Sequence, residues 1–144
     1  MSDEAQRNFE FTATRDNVAR ALSCVELACR DAGFPEPDTL RVLLVIEELA
    51  TNTVFHGYAR TPNSTQPSDG AERFWIELKA TPREVVAVYA DAAPAFNPTQ
   101  ALPLADLPEN IGGLGLHLVV EASDSLRYTH EDGRNRLVLR FQAR

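Results

Sequence analysis

Glu48 and Asn52 stand four residues apart in the segment from Glu47 to Tyr58, with apolar Leu44, Val45 and Phe55 around them. At that spacing two side chains share one face of a helix, which sets a carboxylate and a carboxamide against greasy neighbours. Polar groups left unpaired there cost about 1–3 kcal/mol each, more when charged, so something polar must meet them. Two answers are open. One is a side-chain network, through His56, that pins the helix to a loop. The other is a site: an amide oxygen is a hard-cation ligand suited to Mg2+, and a partly desolvated glutamate has the proton affinity of a general base.

Two further segments carry possible chemistry. Asp91 directly follows Val85-Val86-Ala87-Val88-Tyr89-Ala90, the most apolar strand-like run of the chain, and precedes Ala92-Ala93-Pro94-Ala95-Phe96-Asn97-Pro98. Aspartate before a loop is commonly a turn former. A fixed carboxylate at a strand end also accepts a hydrogen bond from an exocyclic amine such as that of adenine. Gly112-Gly113-Leu114-Gly115 then spends three of the chain's seven glycines in four positions. Glycines ahead of a helix let backbone N–H groups approach an anion, and the helix dipole adds about half a positive charge. The structural alternative is a lid hinge or a tight helix start. The dinucleotide fingerprint fails, because its third glycine would fall at Leu118 and no strand runs directly into the loop. No Lys or Arg lies between Ala92 and Leu126. Phosphates bound there must rely on backbone amides, a metal ion and basic groups from elsewhere.

The elements that position these residues are legible from periodicity. Phe9 to Ala13 alternates like an edge strand, and Thr14 or Asp16 can cap a helix carrying Val18, Ala21, Leu22, Val25, Ala28 and Cys29 until Gly33 and Pro35. A second helix runs from Pro37 or Asp38 through Leu40, Leu43, Leu44, Ile46, Leu49 and Val54 to Gly57; apolar nearly all round, it is expected to be buried. Residues 59 to 72 read as a mobile surface loop. Strands follow at Phe74 to Ala80 and Val85 to Tyr89, the second expected to be central and covered on both faces. A proline-rich stretch without periodicity leads to the glycines and a short helix from Leu116 to about Ala122. Strands near Leu126 to His130 and Arg136 to Phe141 close the chain, turning at Asp132-Gly133. Helices arriving as a pair predict an α+β two-layer sandwich, helices over one face of a mixed, mostly antiparallel sheet, in one domain spanning residues 1–144.

Composition narrows the functions. The chain has 144 residues, 14 Lys+Arg against 21 Asp+Glu, net charge -7, two cysteines and a single lysine, Lys79. That charge repels a polyanion, so no direct nucleic-acid grip is expected. With no long apolar run and no basic, apolar leader, the chain reads as soluble and cytoplasmic, without a membrane partner. Cys24 and Cys29 project about 140° apart on a helix and read as buried thiols rather than a disulfide. His56, His117 and His130 are scattered, without zinc spacing.

Taken together and in order, these segments resemble the nucleotide-binding motifs of the ATPase superfamily that includes gyrase, histidine kinases and MutL. Size and spacing look most like its stand-alone branch, the anti-sigma factor serine kinases of bacterial partner switching. The N box is matched by Glu48-Leu49-Ala50-Thr51-Asn52 with His56-Gly57-Tyr58, the first glycine box by Asp91-Ala92-Ala93 with Phe96 and Pro98, and the second by Gly113-Leu114-Gly115-Leu116 after Gly112. Glu131 to Leu139 resembles that branch's final hairpin. The resemblance implies ATP and Mg2+ as cofactors: Asn52 on the metal, Asp91 on the adenine amine, Gly113 and Gly115 on phosphate, and Glu48 as base for the attacking serine. It also implies a STAS-domain anti-sigma factor antagonist as substrate, a sequestered sigma factor or analogous regulator, and a homodimer. The family pattern after the adenine aspartate is D-x-G, whereas this chain has Ala93, whose methyl group takes space where nucleotide and backbone approach closely. That substitution and the missing basic residues raise a second reading, a non-catalytic switch that traps a protein. A histidine-kinase catalytic half ranks below both, because no helical dimerisation segment precedes Phe9.

Overall fold

A computed structural model describes residues 5–58, 72–96 and 113–144. The elements are β1 (Ala5–Thr12), α1 (Arg15–Asp31), α2 (Glu36–Asn52), a π-helical turn at Thr53–Gly57, β2 (Arg73–Ala80), β3 (Glu84–Asp91), α3 (Gly113–Ala122), β4 (Ser125–Glu131) and β5 (Arg134–Gln142). The expected two-layer α+β arrangement is what forms. The five strands lie in the order β1-β2-β3-β5-β4, and every pairing is antiparallel. The parallel component of a mixed sheet is therefore absent among the described residues.

Local chemistry accounts for the boundaries. Thr14 has an extended backbone and its side chain accepts from the Asn17 amide, capping α1 as a hydroxyl at that position should. Gly33 sits at φ +78 beyond the helix, a left-handed conformation that favours glycine and ends the run. Proline stands in the first turn of α2, where its missing N–H costs nothing. Asp132 and Gly133 both take positive φ, the tight hairpin geometry that suits the right-handed twist of β4 and β5.

Strand alternation builds the core. Phe74, Ile76 and Leu78 of β2, Val85, Ala87 and Tyr89 of β3, and Leu137, Leu139 and Phe141 of β5 point to one side and are buried. Against them pack Ala21, Val25, Ala28 and Cys29 from α1 and Val42, Val45, Ile46 and Leu49 from α2. Each large side chain so buried contributes about 1.5–3 kcal/mol. Phe11, Phe74 and Tyr89 stack in series across three strands, with centroids 5.3 and 5.9 Å apart.

Four expectations change. First, α2 is not buried all round: Leu40 is 61% and Leu44 37% exposed, because α1 and α3 flank it and the sheet takes only one stripe. Second, its α-helical part stops at Asn52 and widens into the π-turn. Third, β3 is central, but the helices cover one face only, and Val86 and Val88 on the other are half-buried. Fourth, Cys29 is buried but Cys24 is only partly so. The long excursion expected at 59–72 lies, but for Glu72, outside the described residues. No described helix is long and apolar enough to cross a membrane.

Candidate functional site

The site grows from the junction of α2 with the carboxyl end of β3. Thr53 is 1% exposed, the first residue of the π-turn and the neighbour of Asn52. Its Oγ1 donates to Asp91 Oδ2 at 2.7 Å and accepts from the Tyr89 hydroxyl at 2.6 Å, whose proton also lies within reach of the Leu49 carbonyl at 3.2 Å. One hydrogen-bond chain therefore binds the end of α2 to the end of β3. The widened turn brings Thr53 inward, consistent with π-turns being placed where function needs a side chain re-aimed.

Asp91 is 5% exposed. Its Oδ1 accepts from the Ala93 amide at 3.2 Å and from Asn135 Nδ2 at 2.9 Å. A carboxylate offers about four lone-pair sites. Three are filled, so one acceptor position remains on a rigidly held, desolvated group, which fits an exocyclic amine.

Asn135 is the residue that sequence reasoning missed. It faces Asp91 across β3 and β5. Its Nδ2 also donates to the carbonyls of Ala93 and Pro94, and its Oδ1 accepts from the Phe96 amide and the Tyr128 hydroxyl. One buried carboxamide thus fixes the whole turn from Asp91 to Phe96. The signal was available, since Asn135 is the polar member of an inward row otherwise made of Leu137, Leu139 and Phe141. Tyr58 does parallel work: its hydroxyl donates to the Arg73 carbonyl and accepts from the amides of Arg73 and Ala92. Burial raises its proton affinity, which keeps it a donor.

Glu48 and Asn52 do share one face, both half-buried. Neither hydrogen-bonds to the other or to His56 among the described residues, and His56 is exposed on the π-turn. The pinning network is therefore not what this face builds. Burial, then the charge of Glu47, pushes the Glu48 carboxyl above its ordinary 4.5. The Asn52 amide oxygen, without a hydrogen bond among the described residues, is a ligand of the kind Mg2+ takes, so the residues present fit a metal-nucleotide.

Ala93 is 2% exposed: the family glycine's place is filled by a methyl group already packed inside the turn. Phe96 is half-buried. Gly113, Leu114, Gly115 and Leu116 form the first turn of α3 rather than a loop ahead of a helix starting at Leu116. Gly112 lies outside the described residues. α3 packs on α2, and its last carbonyl, at Ala122, accepts from Arg41 at 2.8 Å.

The class that this architecture and site define is met directly by comparison. Residues 11–141 match the family described as the histidine kinase-like ATPase domain, and the chain belongs to that family. Among solved structures it is similar to the RsbU and RsbW domains of Rv1364c from Mycobacterium tuberculosis, at 17% identity and TM-score 0.64 over 96% of this chain and 32% of that one. It thus spans about a third of that protein's length. It is also similar to a chain of the SiaB–SiaC complex from Pseudomonas aeruginosa, at 14% identity and TM-score 0.55 over 94% of this chain and 88% of that one. At these identities the likeness is one of fold. No curated protein matches significantly.

Proposed function

We propose that this chain is an ATP-dependent protein serine kinase that phosphorylates a STAS-domain anti-sigma factor antagonist and sequesters a sigma factor or analogous regulator in a bacterial partner-switching pathway. The observation that carries the reading is the coupling of Asn52 to Asp91 through Thr53, which ties a metal-ligand candidate to an adenine-acceptor candidate in one frame. The family supports nucleotide binding, and the structural relatives, one an RsbW domain and one a complex of two proteins, support the partner-switching setting.

Each residue then has a task. Asp91 accepts from the adenine amine while Thr53, Asn135 and the Ala93 amide hold its geometry. Asn52 would hold Mg2+, and the backbone of Gly113 and Gly115 at the start of α3 would meet phosphate. Mg2+, when bound, neutralises charge on the transferring phosphoryl group. Glu48 takes the proton of the attacking serine hydroxyl as its oxygen bonds to the γ-phosphorus and ADP leaves. A raised proton affinity suits that role.

Incubation with Mg-ATP and a STAS-domain substrate should yield phosphoserine. Glu48→Gln should slow transfer by about 100-fold or more while nucleotide affinity stays within about threefold. Undiminished transfer would remove Glu48 from the reaction. The buried methyl of Ala93 favours the second reading, a non-catalytic protein-trapping switch; calorimetry that finds no heat with ATP or ADP would select it.

A further inference from the structure

Charge is unevenly spread over the sheet face that points away from the helices. In a chain of net charge -7, the outward residues of β4 and β5 include Arg127, Arg134, Arg136 and Arg140 against a single carboxylate, Glu131. Register sets Arg127 opposite Val138, and Arg136 and Arg140 lie two positions to either side of that valine. Such diagonal neighbours are about 7–8 Å apart, within reach of long side chains, so three cations converge on one patch. Arg140 is answered by Glu84 at 3.2 Å, and Arg134 stacks over the Trp75 ring, 3.7 Å from its centroid. Arg127 and Arg136 are in no ion pair among the described residues. Both border an open depression of about 580 Å³. Thr129, opposite Arg136 in the register, lies in its lining, with a buried hydroxyl oxygen that has no hydrogen-bond partner among the described residues.

Converging like charges and an unmet buried hydroxyl are both unfavourable in the free protein, and one kind of ligand relieves both. We propose that this depression binds a phosphate-monoester group, at a site separate from the nucleotide site. The guanidinium forks of Arg127 and Arg136 match phosphoryl oxygens with paired N–H donors, and the Thr129 hydroxyl donates a further bond. Two unpaired cations call for a dianion. A phosphate monoester carries about that charge at neutral pH, whereas a phosphodiester or a single carboxylate answers only one arginine. The acidic remainder of the chain repels a long polyanion, which restricts the ligand to a small local charge. Glu131, the one carboxylate in the lining, stands at the hairpin end with Arg134 as its register partner. Asp91 and Asn135 point to the opposite side of the sheet, so the two sites share no side chain.

NMR titration of the full chain with inorganic phosphate, at neutral pH and constant ionic strength, should move the amide resonances of Arg127, Thr129 and Arg136 saturably, with a midpoint near about 1 mM. Arg127→Gln and Arg136→Gln together should weaken that binding by about tenfold or more. Thr129→Val keeps the shape and removes the hydroxyl. It should weaken phosphate by about threefold or more while Tm in phosphate-free buffer stays the same or rises, a pair of effects that a merely structural threonine does not give. The two sets of variants are read separately, so misfolding of one leaves the other decisive. O-phosphoserine titrated in parallel separates the sources: tighter binding than inorganic phosphate assigns the site to a phosphorylated side chain, and weaker binding assigns it to a free phosphate. No saturable shift on β4 and β5 by about 50 mM phosphate, shifts confined to the start of α3, an equal response to chloride, or affinity undiminished in the variants would each overturn the proposal. None of these residues belongs to the nucleotide site, so such a failure leaves the proposed kinase reaction standing.

Discussion

At the scale of single residues, the site is defined by which polar groups are satisfied and which are left free. Asp91 and Asn135 are buried and held by each other, by Thr53 and by the turn between them, with one Asp91 acceptor position left, whereas Glu48 and Asn52 make no side-chain hydrogen bond among the described residues. Asn135→Ala removes the side-chain bonds to Asp91, Ala93, Pro94 and Phe96 that hold the Asp91–Phe96 turn, leaving the Ala93–Asp91 and Ala92–Tyr58 bonds. It should cost about 2 kcal/mol in urea denaturation and weaken nucleotide binding by about tenfold in calorimetry. For Glu48, desolvation raises the folded-state pKa, so its contribution to stability is full below the unfolded value and is lost as pH rises through the folded one. The same shift places the acid limb of the transfer rate above the ordinary glutamate range. Glu47→Gln should move that limb down, because it removes the second cause of the shift. Burial pushes the Cys29 thiol up to about 11, so alkylation at neutral pH should modify Cys24 and spare Cys29 until the protein unfolds. The i,i+4 pairing of Glu48 and Asn52 was legible from spacing. The Asp91–Asn135 pair was not, since residues 44 apart meet only through sheet register.

At the scale of elements, Arg41 is the joint. From α2 it reaches the Asp38 carboxylate, the Ala122 carbonyl that ends α3, Asp124 and the Gln142 carbonyl at the end of β5. Arg41 and Asp38 side chains are only 15% and 7% exposed, so removing the cation strands a buried carboxylate. Arg41→Ala should destabilise by about 3 kcal/mol in thermal or urea unfolding. Arg41→Lys should recover only a fraction, since an ammonium cannot span the same fork of acceptors. Asp124 draws on the same joint. The Gln142 amide first, and then the Arg41 and Arg144 charges, hold its carboxyl low against the cost of burial, so the stability it contributes is lost as pH falls through the folded-state value. Helix ends at Thr14 and Gly33 and the Asp132-Gly133 turn were readable because caps and turns are local chemistry. The π-turn at Thr53–Gly57 was not, because residue periodicity over five positions does not distinguish it from a continued α-helix.

At the scale of the whole molecule, ligand binding and folding are one equilibrium. If nucleotide binds only the folded chain, Mg-ATP at about 100 times its Kd should add about 2.7 kcal/mol to stability, read as a concentration-dependent rise in Tm. Chelating Mg2+ should remove most of that rise, and Asn52→Ala should make it insensitive to the metal. The amino-acid order by itself determined the α+β class, the helix caps and the hairpin turn, because each is written within one or two turns of backbone or in a strict alternation. Tertiary structure alone decided that Thr53 and Asn135 lock Asp91, that Leu40 and Leu44 face outward, and that the described helices cover one face of β3. Those outcomes depend on which strand lies beside which and on how many faces the remaining elements can cover, and neither quantity exists until the chain has closed on itself.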